Sequence, residues 1–317
     1  MSCTALLVGD GPPRPVSAEE ARDYTGPGFV WMHVDGEDRP SLGLLLGQDI
    51  PDVAANALVA TETRPRCERI EEGAIINLRG PAAEGVDISD RLVSIRMWVR
   101  AGKVSSLTRR PLLATAAVLD DMKAGTIMDP GDLVAAFARE ISRELDPQVA
   151  ALGDELDDCE TELQGGNIYH LRAMIASIRS QAITFRRFVA PDRDALNTLS
   201  QLDFAWLAED DRLHIREAGD RFARMAEELE AVRERSALLH EQLTDLRAEE
   251  IDQRGLLISV VAFIFLPLTF ITGLLGMNVE GIPFAKEPWA FWGVCAVCVA
   301  LGAAVLAWFA RRHWLRR

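Results

Sequence analysis

The sequence predicts an α+β membrane protein: an α/β/α domain with a mixed sheet, then a long stalk helix, then a carboxy-terminal hairpin of two transmembrane helices. Three observations predict it. Strand-like runs are confined to residues 1–125. From residue 130 onward apolar residues recur at helical spacing. Two uncharged or nearly apolar runs of 21 residues, 255–275 and 289–309, lie near the end of the chain. A run of that length crosses a bilayer core as a helix, and a soluble core helix is rarely apolar on every face for six turns.

Residues 4–8, 29–34, 74–78, 92–99 and 103–107 read as strands, being apolar or β-branched between turn formers. Residues 17–24 read as a helix opened by the capping pattern Ser17-x-x-Glu20; 51–59 and 111–123 read as two more. Short turns at 80–85 and 101–102 favour a mixed or antiparallel sheet flanked by helices over a doubly wound nucleotide fold. Gly9-Asp10-Gly11-Pro12-Pro13 lacks the dinucleotide-binding spacing and reads as a turn.

Helix is expected over 132–163, ended by Gly165-Gly166. A second helix, capped by Asn167, is expected to reach residue 189, with a break at Pro191-Asp192 and a further helix over 192–202. From Glu209 an apolar seam runs through Ile215, Ala218, Phe222, Met225, Leu229 and Val232, and on to Leu239, Leu243 and Leu246, with Ser236 interrupting. Nothing breaks it before the first membrane run, which makes residues 209–275 one helix of about 100 Å at 1.5 Å per residue. Such a helix needs neighbours for its seam, and copies of itself are the expected ones. The expected division is an α/β domain (1–125), a helical hairpin region (126–208), a stalk (209–254), a first transmembrane helix (255–275), an external loop (276–288), a second transmembrane helix (289–309) and a basic tail (310–317).

The first membrane run is not uniform. Asp252, Gly255, Ser259, Ala262, Leu266, Thr269, Gly273 and Gly276 follow one another by three or four residues and are small or polar except Leu266. Such a face meets other helices or water rather than lipid. It reads equally as tight helix packing and as a pore lining. Two spans per chain cannot enclose a path, so a pore needs several copies, with a ring as the closed symmetry. Cys295-x-x-Cys298 in the second run reads as small residues between helices before a metal pair.

The tail carries Arg311, Arg312, Arg316 and Arg317 and the loop only Lys286, so the bulk of the chain and both termini are expected in the cytoplasm. No cleavable signal is evident at the amino end. Five scattered cysteines, an odd number, argue against a disulfide framework. The formal net charge of −14 sits in the cytoplasmic part, where it repels nucleic acid and attracts cations. The cluster Asp154, Glu155, Asp157, Asp158 reads either as a solvated helix end or as a cation-collecting tip. Gly276-Met277-Asn278 reads as a helix C-terminus closed by Gly and Asn, or as a ring of carbonyls and amides around a hydrated cation. The hydroxyl and backbone oxygens of the stripe suit hard hydrated cations better than tight zinc coordination, which prefers His and Cys. No catalytic motif occurs, so no enzyme is expected, and no cofactor beyond transported or regulatory divalent cations (Zn2+, Mg2+ or Co2+).

Gly276-Met277-Asn278 at the end of a span that contains Leu266-Pro267-Leu268-Thr269, with a basic tail after the second span, resembles the CorA metal-ion transporter superfamily. Val279-Glu280-Gly281-Ile282-Pro283, Thr63-Arg64-Pro65-Arg66-Cys67, Leu78-Arg79-Gly80 and Ser94-Ile95-Arg96-Met97-Trp98 resemble its ZntB-like zinc transporter branch. The resemblance implies a funnel-shaped homopentamer in the cell (inner) membrane, carrying zinc and driven by protons. It implies that Gly276, Met277 and Asn278 form the selectivity entrance and that Thr269, Leu266, Ala262, Ile258 and Asp252 lie along the pore. Ser259 joins them from the stripe, and Glu280 from its place beside the entrance. The magnesium and cobalt channels of the superfamily share the architecture and are the alternative; a membrane-anchored scaffold or metal sensor is the alternative of another class. The chain departs from the branch at Glu280, where Gly is usual, and an added carboxylate ring there would concentrate cations. Phe284 stands where the magnesium branch tends to carry an acid, and Leu275 where many relatives carry an aromatic ring.

Overall fold

The computed structural model describes residues 2–9, 11–36, 39–61, 64–83, 92–164, 170–277, 281–282, 284, 286–309 and 311. They fall in two units, Met1–His240 and Glu241–Arg317. The first is built on a seven-stranded sheet: β1 (Ser2–Gly9), β2 (Gly11–Pro15), β3 (Phe29–Asp35), β4 (Arg66–Ile70), β5 (Gly73–Pro81), β6 (Leu92–Arg100) and β7 (Lys103–Thr108). The spatial order is β2-β1-β3-β7-β6-β5-β4. The β3–β7 pair is parallel and all others are antiparallel, so the sheet is mixed, as expected.

Helices cover both faces. On one, α1 (Ala18–Asp23) and α2 (Arg39–Leu46) bury Ala21 and Leu45 against Val30, Met32 and Leu107. On the same face α3 (Asp52–Val59) buries Ala54 and Leu58 against Ile75 and Trp98. The opposite face carries Trp31, whose ring meets Phe137 of α5 (Pro130–Gln164) edge-on at 5.9 Å. Gly80 belongs to this approach: a Cβ there would come within 2.9 Å of Ile141 on α5. Helix α4 (Ala114–Lys123) precedes α5. Ser17 caps α1 as its pattern predicts, accepting the Glu20 N–H at 3.1 Å.

Four expectations need correction. The Gly9–Pro13 segment is not a turn alone: Pro12 and Pro13 lie in edge strand β2, where a missing N–H is tolerated because one side of the strand is unpaired. Gly80 and Pro81 belong to β5, not to a turn. Strand β4 and helix α2 lacked clear periodicity and were not expected. The break at Pro191 is absent: α6 (Leu171–Gln201) runs through it. Proline costs the helix one hydrogen bond, but the following Asp192 is anchored in the sheet. Its Oδ1 accepts the Arg79 N–H at 3.0 Å, a donor on β5 beyond the last residue paired to β4. The predicted caps Gly165, Gly166 and Asn167 lie outside the described residues.

Helix α7 runs over Glu209–Leu275. Its seam from Ile215 to Leu239 is buried within the single chain. Neighbours are α5 and α6: Arg235 pairs with Asp157 and Glu160 of α5, and Arg186 of α6 with Glu230. Copies of the chain are thus not needed along this stretch, because long α5 and α6 already supply the apolar faces. Ser236 does not interrupt the seam; it is fully buried and its hydroxyl donates to the Val232 carbonyl at 2.6 Å.

Candidate functional site

The second unit holds the remainder of α7 and α8 (Ala290–Phe309). Both helices are long and apolar enough to cross a membrane, and neither window is buried in the chain. At 1.5 Å per residue the 20 residues of α8 span about 30 Å, the thickness of a hydrocarbon core. The two helices pack through Phe263 and Phe309, edge-on at 6.2 Å, and through Ile264, against which a Cβ on Gly302 would rest at 4.0 Å. Cys295 and Cys298 are free thiols among the half-buried positions of α8.

Within the first membrane run, 255–275, the half-buried positions of α7 are Val260, Ile264, Pro267, Leu268 and Ile271. They recur by three and four and mark the side turned to α8. At about 100° per residue the stripe Asp252, Ser259, Ala262, Leu266, Thr269 falls roughly on the other side of the helix. All five are exposed, as are Ile258, Gly276 and Met277. The structure therefore places the predicted pathway residues off the half-buried side of α7 that packs on α8. Leu266 is 76% exposed, and with Thr269 it also borders an apolar groove of about 890 Å3 between α7 and α8.

Local bonding shapes what this side can offer. The Ser259 hydroxyl donates to the Gly255 carbonyl at 2.8 Å, so its oxygen lone pairs are left to accept. Pro267 has no N–H, which frees the Phe263 carbonyl from the helical ladder. The helix ends where the Gly276 N–H reaches the Thr272 carbonyl at 2.9 Å, and Met277 follows, half exposed. Asn278 and Glu280 lie outside the described residues.

In the first unit Asp154, Glu155, Asp157 and Asp158 are exposed along α5, and Asp157 pairs with Arg235. A different set converges. Asp129, Asp132 and Asp211 place one carboxylate oxygen each within 4.8 Å of one another, the only such acidic group among the described residues. Each also caps a helix start: Asp129 accepts the Asp132 N–H at 2.9 Å, Asp132 that of Met128 at 2.8 Å, and Asp211 that of Ala208 at 2.7 Å. Burial, and then the charges of Asp129 and Asp132, push the Asp211 carboxyl up to about 7. Burial pushes Asp129 up as well. Sequence reasoning missed this trio, although Asp-Pro at 129–130 and the acidic start of α7 are both capping signals.

Histidine forms no metal centre among the described residues. His33 is buried in a polar chain across β3 and β7: the Trp31 Nε1–H donates to the Ser106 hydroxyl at 2.8 Å, and that hydroxyl meets His33 Nδ1 at 2.8 Å. Desolvation holds the ring neutral, its value lowered to about 4.

Comparison with known proteins places this geometry. The family described as "CorA-like Mg2+ transporter protein" matches residues 26–312. The zinc transport protein ZntB of Pectobacterium carotovorum is 31% identical over 312 residues, covering 98% of this chain and 94% of the relative. Among solved structures, full-length CmaX superposes with a TM-score of 0.82 at 28% identity, covering 97% of this chain and 96% of CmaX. The CorA magnesium transporter of Methanocaldococcus jannaschii superposes at 0.81 with 19% identity over 99% of both chains, a likeness of fold.

Proposed function

The chain belongs to the CorA-like Mg2+ transporter family, and from that membership we propose which ion it carries and along which path. It is a divalent-cation transporter and not an enzyme. Zinc is the proposed cargo, supported by the full-length likeness to proteins named for zinc transport. The observation that carries the path is the exposed, mostly small and polar stripe of α7, which lies off the side packed on α8. Several copies, five in the reading favoured by family resemblance, surround an axis with this side inward. Cations collect outside at Glu280 and Asn278 and pass Gly276, Met277 and Thr269. They cross the Leu266 constriction, which gates by dewetting, and leave past Ala262, Ser259, Ile258 and Asp252. Both termini lie in the cytoplasm in this reading, supported by the basic tail. Five chains at −14 each repel one another, and divalent cations at Asp154, Glu155, Asp157 and Asp158 relieve this and bias the gate.

The test is zinc and proton flux measured together in proteoliposomes under an imposed pH gradient. We expect zinc uptake that rises with the gradient. Strong magnesium flux with negligible zinc flux overturns the choice of ion and favours the second reading, a magnesium or cobalt channel, to which the family's description points. Unchanged metal uptake in an assembled Gly276→Ala/Asn278→Ala variant overturns the path itself and leaves the hairpin as an anchor.

A further inference from the structure

The strand order β2-β1-β3-β7-β6-β5-β4 divides the sheet into two antiparallel blocks, β1–β3 and β4–β7. Among the described residues the parallel β3–β7 pair is the ladder that joins them. Parallel pairing is slightly weaker per residue than antiparallel pairing. A row of polar side chains lies along this seam: Trp31, His33 and Asp35 on β3, and Ser106 and Thr108 on β7. His33 stands opposite Ser106, and Asp35 opposite Thr108. His33, Ser106 and Thr108 are buried.

Donor and acceptor rules give this row one direction. The Trp31 Nε1–H can only donate, so the Ser106 oxygen accepts it, at 2.8 Å. The Thr108 hydroxyl donates to Asp35 Oδ1 at 3.1 Å, so its oxygen is left to accept from His33 Nε2, 3.5 Å away. His33 Nε2 therefore carries the ring hydrogen. Its Nδ1 is the lone pair that receives the Ser106 hydroxyl hydrogen, at 2.8 Å. The chain runs from Trp31 through Ser106, His33 and Thr108 to Asp35, with each hydrogen assigned once. The other neutral tautomer would set two lone pairs against each other at Thr108. A proton added to the ring enters at Nδ1, where it displaces the hydrogen bond from Ser106.

We infer that His33 is an acid-sensitive rivet between the two blocks: protonation at Nδ1 breaks the chain and opens the β3–β7 seam ahead of the rest of the sheet. The groups around the ring do not favour an imidazolium. Its partner on β1 is Thr4 and its partner on β7 is Ser106, both neutral. Asp35, on β3 itself, is joined to the ring through Thr108. Helix α5 packs on this face through Phe137, and its nearby buried carboxylate, Glu140, is paired with Arg139 and Arg143. Helix α4 buries Ala114, Val118 and Met122, all apolar. Burial is the sole cause that lowers the imidazole, from its ordinary 6.5 to about 4. The closed seam thus binds the proton more weakly than the open one. Its stability is fully present above pH 6.5 and is lost as pH falls toward 4.

The test is hydrogen–deuterium exchange, read by mass spectrometry on the full-length protein in detergent at pH 7 and pH 5, with rates corrected for the intrinsic effect of pH. Uptake of one proton between those two values raises the open fraction about twentyfold from pH 7 to pH 5. We expect peptides from β3 and β7 to show that rise, and a peptide from β5 to rise no more than a few-fold. His33→Gln keeps a neutral polar side chain that cannot take up the proton, and it is expected to remove the rise. Should that variant fold poorly, the parent profile decides: the rise in β3 and β7 has to begin below about pH 6.5 and follow a single proton. No rise in the parent, an equal rise in β5, or the full rise retained in a folded His33→Gln variant overturns the inference.

Discussion

Asp211 shows how a single carboxyl couples capping to pH. Its value is about 7 in the folded chain against an ordinary 3.8, so the folded state holds a proton that the unfolded state releases earlier. The stability this contributes is fully present below about pH 4 and is lost as pH rises toward 7. Asp211→Asn keeps an oxygen for the Ala208 N–H and removes the titration. Thermal melts of the detergent-solubilised protein should fall less from pH 4 to 7 in this variant, and an identical slope would refute the assignment. Gly80 makes a steric prediction. Gly80→Ala should destabilise the chain by about 1–3 kcal/mol by overpacking against Ile141. Denaturant unfolding measures it, and adding Ile141→Val should recover part of the loss.

Among elements, α7 is the most informative. The three-four spacing of its apolar seam and of its small-residue stripe was legible because both faces obey one helical period. The spacing could not say which elements cover the seam, and α5 and α6 cover it where copies were expected. The stripe makes the path testable by position. Ala262→Phe places a ring on the side turned from α8, while Val261→Phe places it about 100° around the helix. We expect zinc flux in proteoliposomes to drop at least about tenfold in the first and to stay near the parent in the second, by steric closure of a dewetting gate. Equal flux in both would show that this side does not line a path. Strand β4 and the passage of α6 through Pro191 were not legible: β4 is held by pairing to β5, and Asp192 is held by a donor 113 residues away in the chain.

For the whole molecule, the proposed ring of five predicts a solubilised particle of five times the 34.9 kDa chain. Light scattering with correction for detergent reads this directly, and a monomer or dimer would remove the pore, since two spans per chain cannot enclose water. The charge distribution predicts that both termini are reachable by protease from one side only of a sealed vesicle, the side where the Arg-rich tail lies. Cleavage of the two ends from opposite sides would mean an odd number of crossings and would refute the two-span hairpin.

The sequence by itself determined the mixed sheet, the long helix and the paired apolar spans, because strand period, helix period and span length are local properties written in consecutive residues. It also placed the small and polar side chains on one side of α7. Only the tertiary structure decided that this side is not the one packed on α8, that three aspartates from two helix starts converge, and that six arginines between positions 64 and 187 line one cavity. Those groupings depend on sheet order and helix packing, which join residues that no local period relates.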